Sequence, residues 1–133
     1  MEFKLNFFKT SLFVFSFLAF VACNSRPESI ALTEQVALAD TIVSFLQQER
    51  FEEITSRFDE KLKSQLNKEQ MAVVWAQLTT KFGKLNKREL VDNKQLIGKG
   101  SIVTYKCFFG TQKLNFIITF GNHNKISGIF FKN

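Results

Sequence analysis

Proline, tyrosine, tryptophan and histidine occur once each in the 133 residues, and cysteine twice. A single His123 and the two cysteines cannot compose a familiar zinc site, which uses several such ligands, so neither a metal nor another cofactor is expected. A disulfide framework is excluded too. Cys23 closes an apolar run near the N-terminus, and Cys107 stands in an apolar, strand-like stretch, where a free cysteine behaves as a small hydrophobe. The six glycines form no phosphate-cradling loop, and no serine sits in a nucleophile elbow. Acid is missing from one whole region: residues 93–133 contain no Asp or Glu, but six lysines, Lys94, Lys99, Lys106, Lys113, Lys125 and Lys132. A carboxylate general base on the last three strands is therefore excluded. Low glycine and proline with 45% apolar residues also exclude collagen-like and low-complexity chains.

What is abundant is phenylalanine, at 17 residues, but seven of these precede residue 21. They belong to a segment with Lys4 and Lys9 followed by the uncharged run Thr10 to Cys23. A basic start, an apolar run and small residues at its end make a secretory signal. As a helix the run would rise about 21 Å at ~1.5 Å per residue, short of a hydrocarbon core of about 30 Å. Its end, Phe20-Val21-Ala22-Cys23, resembles the lipobox of bacterial lipoproteins, with bulky Phe20 where an aliphatic residue is usual. The resemblance implies cleavage before a diacylglyceryl-modified Cys23, the alternatives being an uncleaved N-terminal anchor or an ordinary cleaved signal in which Cys23 is incidental. Residues 1–22 then form the signal peptide, residues 23–29 the lipidated cysteine and a tether, and residues 30–133 the domain. The expected location is the periplasmic side of a bacterial membrane or the cell surface. Asn24 is not the acidic residue associated with inner-membrane retention, so the outer membrane is favoured. Nucleic acid is disfavoured as a partner by export.

Along the domain, Leu32, Val36, Ala39, Ile42, Val43 and Leu46 recur at helical spacing and predict a helix from Ser29 to Gln48. A second helical segment starts near Arg50, with Phe51, Ile54 and Phe58 on one side. The third has a capping signal in Asn67 and Gln70, the stripe Met71, Val74, Trp75, Leu78 and Phe82, and a stop at Gly83. Beyond Lys84 the period becomes two. Strands are predicted over Leu85 to Ile97, Ile102 to Phe109, Leu114 to Phe120 and Ile126 to Phe131. Helices followed by an antiparallel sheet of about four strands argue for an α+β fold.

Pairing Phe109 with Leu114 places Val103, Tyr105, Cys107, Phe109, Leu114, Phe116, Ile118 and Phe120 on the face covered by helices, with Ile126, Gly128 and Phe130 joining them. Val43, Trp75, Tyr105, Cys107, Phe116 and Ile118 are the expected lining of a core or pocket. The other face carries Ile102, Phe108, Ile117, Ile129 and Phe131, too apolar for a simple hydrated surface, which suggests a protein partner or a homodimer. Charge is uneven as well. Residues 24–92 hold ten basic and eleven acidic groups, so the positive excess lies in the sheet; it suits an anionic surface, or merely guards edge strands.

The run Gln48 to Ile54, then Phe58 to Lys63, Trp75 to Gly83 and the final Ile126 to Phe131 resemble a bacterial domain family of unknown function. That family belongs to the nuclear transport factor 2-like (cystatin-like) superfold and is often fused to α/β-hydrolases. The resemblance implies helices on a strongly curved sheet that can leave a conical pocket; its motifs are structural. Two functions follow: a non-enzymatic lipoprotein binding an apolar small molecule or protein partner, or a cofactor-independent enzyme using a helix-borne carboxylate or Tyr105. The Cys23→Ser variant tests the tether. The parent chain is expected to incorporate labelled palmitate and sediment with membranes; the variant is expected to do neither.

Overall fold

A computed structural model describes residues 28–133, with side chains from Leu32 onward. The leader, Cys23 and most of the tether lie outside the described residues. The elements are α1 (Glu28–Gln47), α2 (Phe51–Thr55), α3 (Glu60–Gln65), α4 (Lys68–Phe82), β1 (Leu85–Leu96), β2 (Gly100–Phe109), β3 (Lys113–Phe120) and β4 (Ile126–Lys132), with a short 3-10 turn at Asn122–Asn124. The strands form one antiparallel sheet in the order β1-β2-β3-β4. This is the α+β architecture expected from helices followed by strands: an open, curved sheet with helices on one face.

Helix α1 stops for a local reason. Glu49 takes a left-handed φ of 57°, and the Glu49 and Arg50 amides bond back to the Leu46 and Phe45 carbonyls at 3.1 and 2.9 Å. That is a Schellman end, and Arg50 lays its guanidinium 4.5 Å over the Phe45 ring. The predicted second helix divides in two. Phe58 leaves the helical path and bridges to Ile126; the Asp59 amide bonds to the Ile126 carbonyl, and the Ile126 amide to the Arg57 carbonyl. The α2–α3 link thereby covers the start of edge strand β4, as an exposed edge requires. Helix α4 has the full capping box, Asn67 and Gln70 bonding reciprocally at 2.9 Å, worth about 1 kcal/mol.

The core lies between the sheet's inner face and the stripes of α1, α2 and α4. Ala39, Ile42, Val43 and Leu46 meet Val103, Cys107, Phe116, Ile118 and Phe120, all at 1% exposure or less. The β2–β3 register pairs Cys107 with Leu114 and Phe108 with Lys113, two residues from the pairing expected from the turn. A slip of two leaves every side chain on its predicted face.

Strand β4 departs in a way that matters. Phe120 pairs with Ile126 but Thr119 with Gly128, so Ser127 is an extra residue, a β-bulge. Beyond it the faces invert. Ile129 and Phe131, expected outside, stand opposite Ile118 and Phe116 and pack on the core. Phe130, expected inside, stands opposite Ile117 and is 58% exposed. Gly128 also moves to the outer face, where an added Cβ would meet the Phe130 ring at 2.8 Å.

Gly100 opens β2 with φ +95°, and a Cβ there would fall 1.7 Å from the Phe120 carbonyl oxygen. That backbone cannot yield without breaking the β2–β3 ladder. Gly100→Ala is expected to destabilise the domain by about 3 kcal/mol or more, read as a lowered urea midpoint by circular dichroism. Gly98→Ala, with open space around it, is the milder comparison.

Candidate functional site

Of the depressions among the described residues, two that border the helix layer differ sharply in chemistry. The first lies between α1 and β1, lined by Thr33, Val36, Ala37, Asp40, Arg88, Leu90 and Tyr105, with a volume of about 710 Å³. It is wide and open to solvent. Arg88 organises it: Nε donates to Asp40 Oδ1 at 2.8 Å, and the terminal nitrogens donate to Gln47 Oε1 at 3.1 Å and Ser44 Oγ at 3.4 Å. Asp40, Ser44 and Gln47 are spaced at i, i+4 and i+7, one face of α1, so a single guanidinium grips two turns of helix. The Tyr105 hydroxyl donates to the Val36 carbonyl at 3.3 Å.

This corner holds a carboxylate beside Tyr105, the arrangement an acid–base enzyme of this fold would need. Its electrostatics point elsewhere. The Arg88 hydrogen bond holds the Asp40 carboxyl below its ordinary range, which makes it a weak base. Burial, then the Asp40 charge, push Tyr105 up to about 12, so its hydroxyl keeps its proton at neutral pH. Every arm of Arg88 is occupied. The group works as a clamp between α1 and β1.

The second depression lies between α4 and β4. It is lined by Leu46, Leu66, Met71, Val74, Trp75, Leu78 and the Ile129-Phe130-Phe131 run, with a volume of about 380 Å³. All nine residues are apolar. Its floor is an aromatic cluster: Trp75 lies 5.9 Å from Phe109 and 6.1 Å from Phe131, and Phe131 stacks on Phe116 at 4.6 Å between ring centroids. Val74, 45% exposed, stands on the rim. The bulge at Ser127 builds this wall, because without it Ile129 and Phe131 would face away.

Of the residues expected to line a pocket, Val43, Cys107, Phe116 and Ile118 are packed core at 1% exposure or less and border neither depression. The Cys107 thiol is pushed up to about 11 by burial, far from a reactive thiolate. Trp75 and Tyr105 do line depressions, though separate ones. Ile102, Phe108 and Ile117 lie half-buried on the outer face, as the alternation requires, while Ile129 and Phe131 belong to the apolar groove. His123 is exposed in the turn after β3 with φ 55°. Among the described residues, no group of His, Cys, Asp and Glu could hold a metal ion, and no helix is long and apolar enough to cross a membrane. The sequence reading missed Arg88; a basic residue inside an alternating strand was its only signal.

Fold and site together define an open-sheet α+β domain with an apolar groove beside its edge strand and an ion-pair clamp at the other end. The chain belongs to the family described as "Protein of unknown function (DUF3887)", which matches residues 39–129, from the middle of α1 to the groove-lining Ile129. No curated protein and no solved structure matches the chain.

The clamp predicts a pH dependence. Because the folded-state Asp40 carboxyl is depressed, its stabilising effect is full above the unfolded carboxylate range, near pH 4, and is lost as pH falls through the lower folded value. Asp40→Asn is expected to lower the urea midpoint at about pH 6, and the gap to the parent chain is expected to close as pH falls through the depressed folded value. A difference that persists at low pH would overturn the ion-pair account.

Proposed function

We propose that this is a non-enzymatic lipoprotein domain of the nuclear transport factor 2-like type, held to a bacterial membrane through acylated Cys23, that binds an apolar small molecule in the α4–β4 groove. The observation that carries the binding reading is the groove itself. It is walled entirely by apolar side chains, opens to solvent past Val74, and has an aromatic floor. Small-molecule sites are concave and mostly apolar. Contact with the groove walls would release ordered water at roughly 25 cal/mol per Å² of apolar surface covered. The lipobox-like run before Cys23 supports the tether, since more than one acyl chain gives stable anchoring where a single chain is marginal.

The enzyme reading has one observation in its favour, the carboxylate beside Tyr105. An ion-paired, weakly basic Asp40 and a firmly protonated Tyr105 in an open depression supply neither a base nor a dry site, and binding is the better account.

Trp75 is the only tryptophan and lines the groove, so it reports occupancy directly. Titrating the protein with the apolar fluorophore N-phenyl-1-naphthylamine is expected to quench Trp75 by energy transfer with saturation. Val74→Asp places a charge on the exposed rim without touching the core; it is expected to weaken binding about tenfold or more. Non-saturating quenching, or unchanged affinity in Val74→Asp, would remove the groove as a site.

A further inference from the structure

The outer face of the sheet carries a pattern that shares only Phe130 with the groove. Across the strands, the register aligns Lys94 with Ile102 and Thr119; Asp92 with Thr104, Ile117 and Phe130; Glu89 with Lys106, Asn115 and Lys132; and Lys87 with Phe108 and Lys113. Five lysines thus share one face with two acids. Both acids are already closed by neighbours on their own strand, Lys87 on Glu89 at 2.6 Å and Lys94 on Asp92 at 2.8 Å. Among the described residues, Lys106, Lys113 and Lys132 close no ion pair. The Glu89 carboxyl lies within the field of Lys106 and Lys113 as well as Lys87, so these cations crowd one patch.

Edge protection does not explain that patch. Lysines guard sheet edges by blocking strand addition, and that serves for Lys87, Lys94 and Lys132 on β1 and β4. Lys106 stands on β2 between Glu89 of β1 and Asn115 of β3, flanked on both sides, while Lys113 opens β3 opposite Phe108, one pair before the β3–β4 ladder begins at Asn115. Apolar groups are set among the cations. Phe108 lies between Lys87 and Lys113, each ammonium 5.5 Å from its ring, and Phe130 projects at 58% exposure over Gly128. At the β1–β2 turn, Ile97 is 98% exposed two residues before Lys99.

We propose that this outer face lies against the anionic surface of a phospholipid bilayer, the lysines meeting headgroup phosphates while Phe130 and Phe108 enter the interfacial layer. Basic side chains interleaved with aromatic and aliphatic ones suit that interface, where charge attracts and apolar tips are buried. An acidic protein would complement the lysines but not a projecting Phe130 flanked by half-buried Ile117. The proposal takes from the tethered reading only that a membrane is near; the face is argued from the sheet itself.

The test is lysine acetylation footprinting by mass spectrometry on the full chain, mixed with phosphatidylcholine vesicles with or without phosphatidylglycerol. On anionic vesicles at low salt, Lys106, Lys113 and Lys132 are expected to react several-fold more slowly than on neutral ones. Lys61, Lys63 and Lys81 on the helices are expected to be unchanged, and high salt should remove the protection. Each lysine reversed to glutamate, singly in Lys106→Glu and Lys113→Glu, is expected to weaken anionic-vesicle association about fivefold or more. Equal protection on neutral vesicles, protection of the helix lysines instead, or equal protection by soluble polyglutamate without vesicles would overturn the proposal. Failure of the tether has a different signature: the chain no longer sediments with neutral vesicles, while protection on anionic ones persists.

Discussion

One extra residue, Ser127, governs what both faces of this sheet can do. Ile126 is fixed inward: its amide and carbonyl bond to the α2–α3 link, and its side chain lies fully buried beside Phe58. Phe131 is also drawn inward, because Phe116 and Trp75 offer it an aromatic seat. Residues 126 and 131 are an odd number apart, so a regular strand of period two cannot bury both. The bulge reconciles them. It adds a step, tilts the strand, and is held by the Ser127 hydroxyl donating to the Thr119 carbonyl at 3.3 Å. Gly128 follows because the Phe130 ring must lie where its Cβ would be, a pairing that restores packing over a glycine.

The Arg88 clamp solves a different problem at the opposite edge. Strand β1 carries shifts in its pairing near Asn86 and Val91, which bend it and blunt it as an edge. A strand so interrupted needs an attachment to the helix layer other than apolar contact, and Leu90 and Val91 are both about half exposed. Arg88 provides it through three acceptors on α1. With the Asp40 side chain half exposed and Arg88 one quarter exposed, the pair avoids the desolvation cost of a buried ion pair while its fork geometry fixes the helix's rotation. The same placement leaves Asp40 ionised and engaged.

Periodicity made most of this fold readable. The α1 stripe from Ala39 to Leu46, the capping box at Asn67 and the alternation of β2 and β3 depend on neighbours within a few residues, and all follow the sequence pattern. Even the misjudged β2–β3 register was harmless, since a slip of two preserves faces. The illegible parts rest on contacts between distant segments. Phe58 reads as one more apolar position in a helix until β4 is present to bridge it, and Asp40 with Arg88, 48 residues apart, reads as two surface charges. The β4 inversion lies between these cases. Ile126-Ser127-Gly128-Ile129-Phe130-Phe131 fits either phase, but an isolated glycine in a strand is a recognised sign of a bulge, and it stood in the sequence.

The two candidate surfaces are therefore coupled through one backbone feature. Pulling Phe131 inward completes the aromatic floor and the groove wall; the same half-turn of the strand pushes Phe130 outward among the lysines of the opposite face. A regular β4 would do the reverse, leaving the groove without Ile129 and Phe131 and carrying Phe130 away from the cations. The lysines themselves would stay, because Lys106 and Lys113 belong to strands the bulge does not touch. Charge on the outer face is thus set by β2 and β3, and its apolar tip by β4. A chain selected only for a stable core would gain nothing from an exposed phenylalanine; here its exposure follows from burying its neighbour, and the cost of wetting that ring is one a membrane interface can offset.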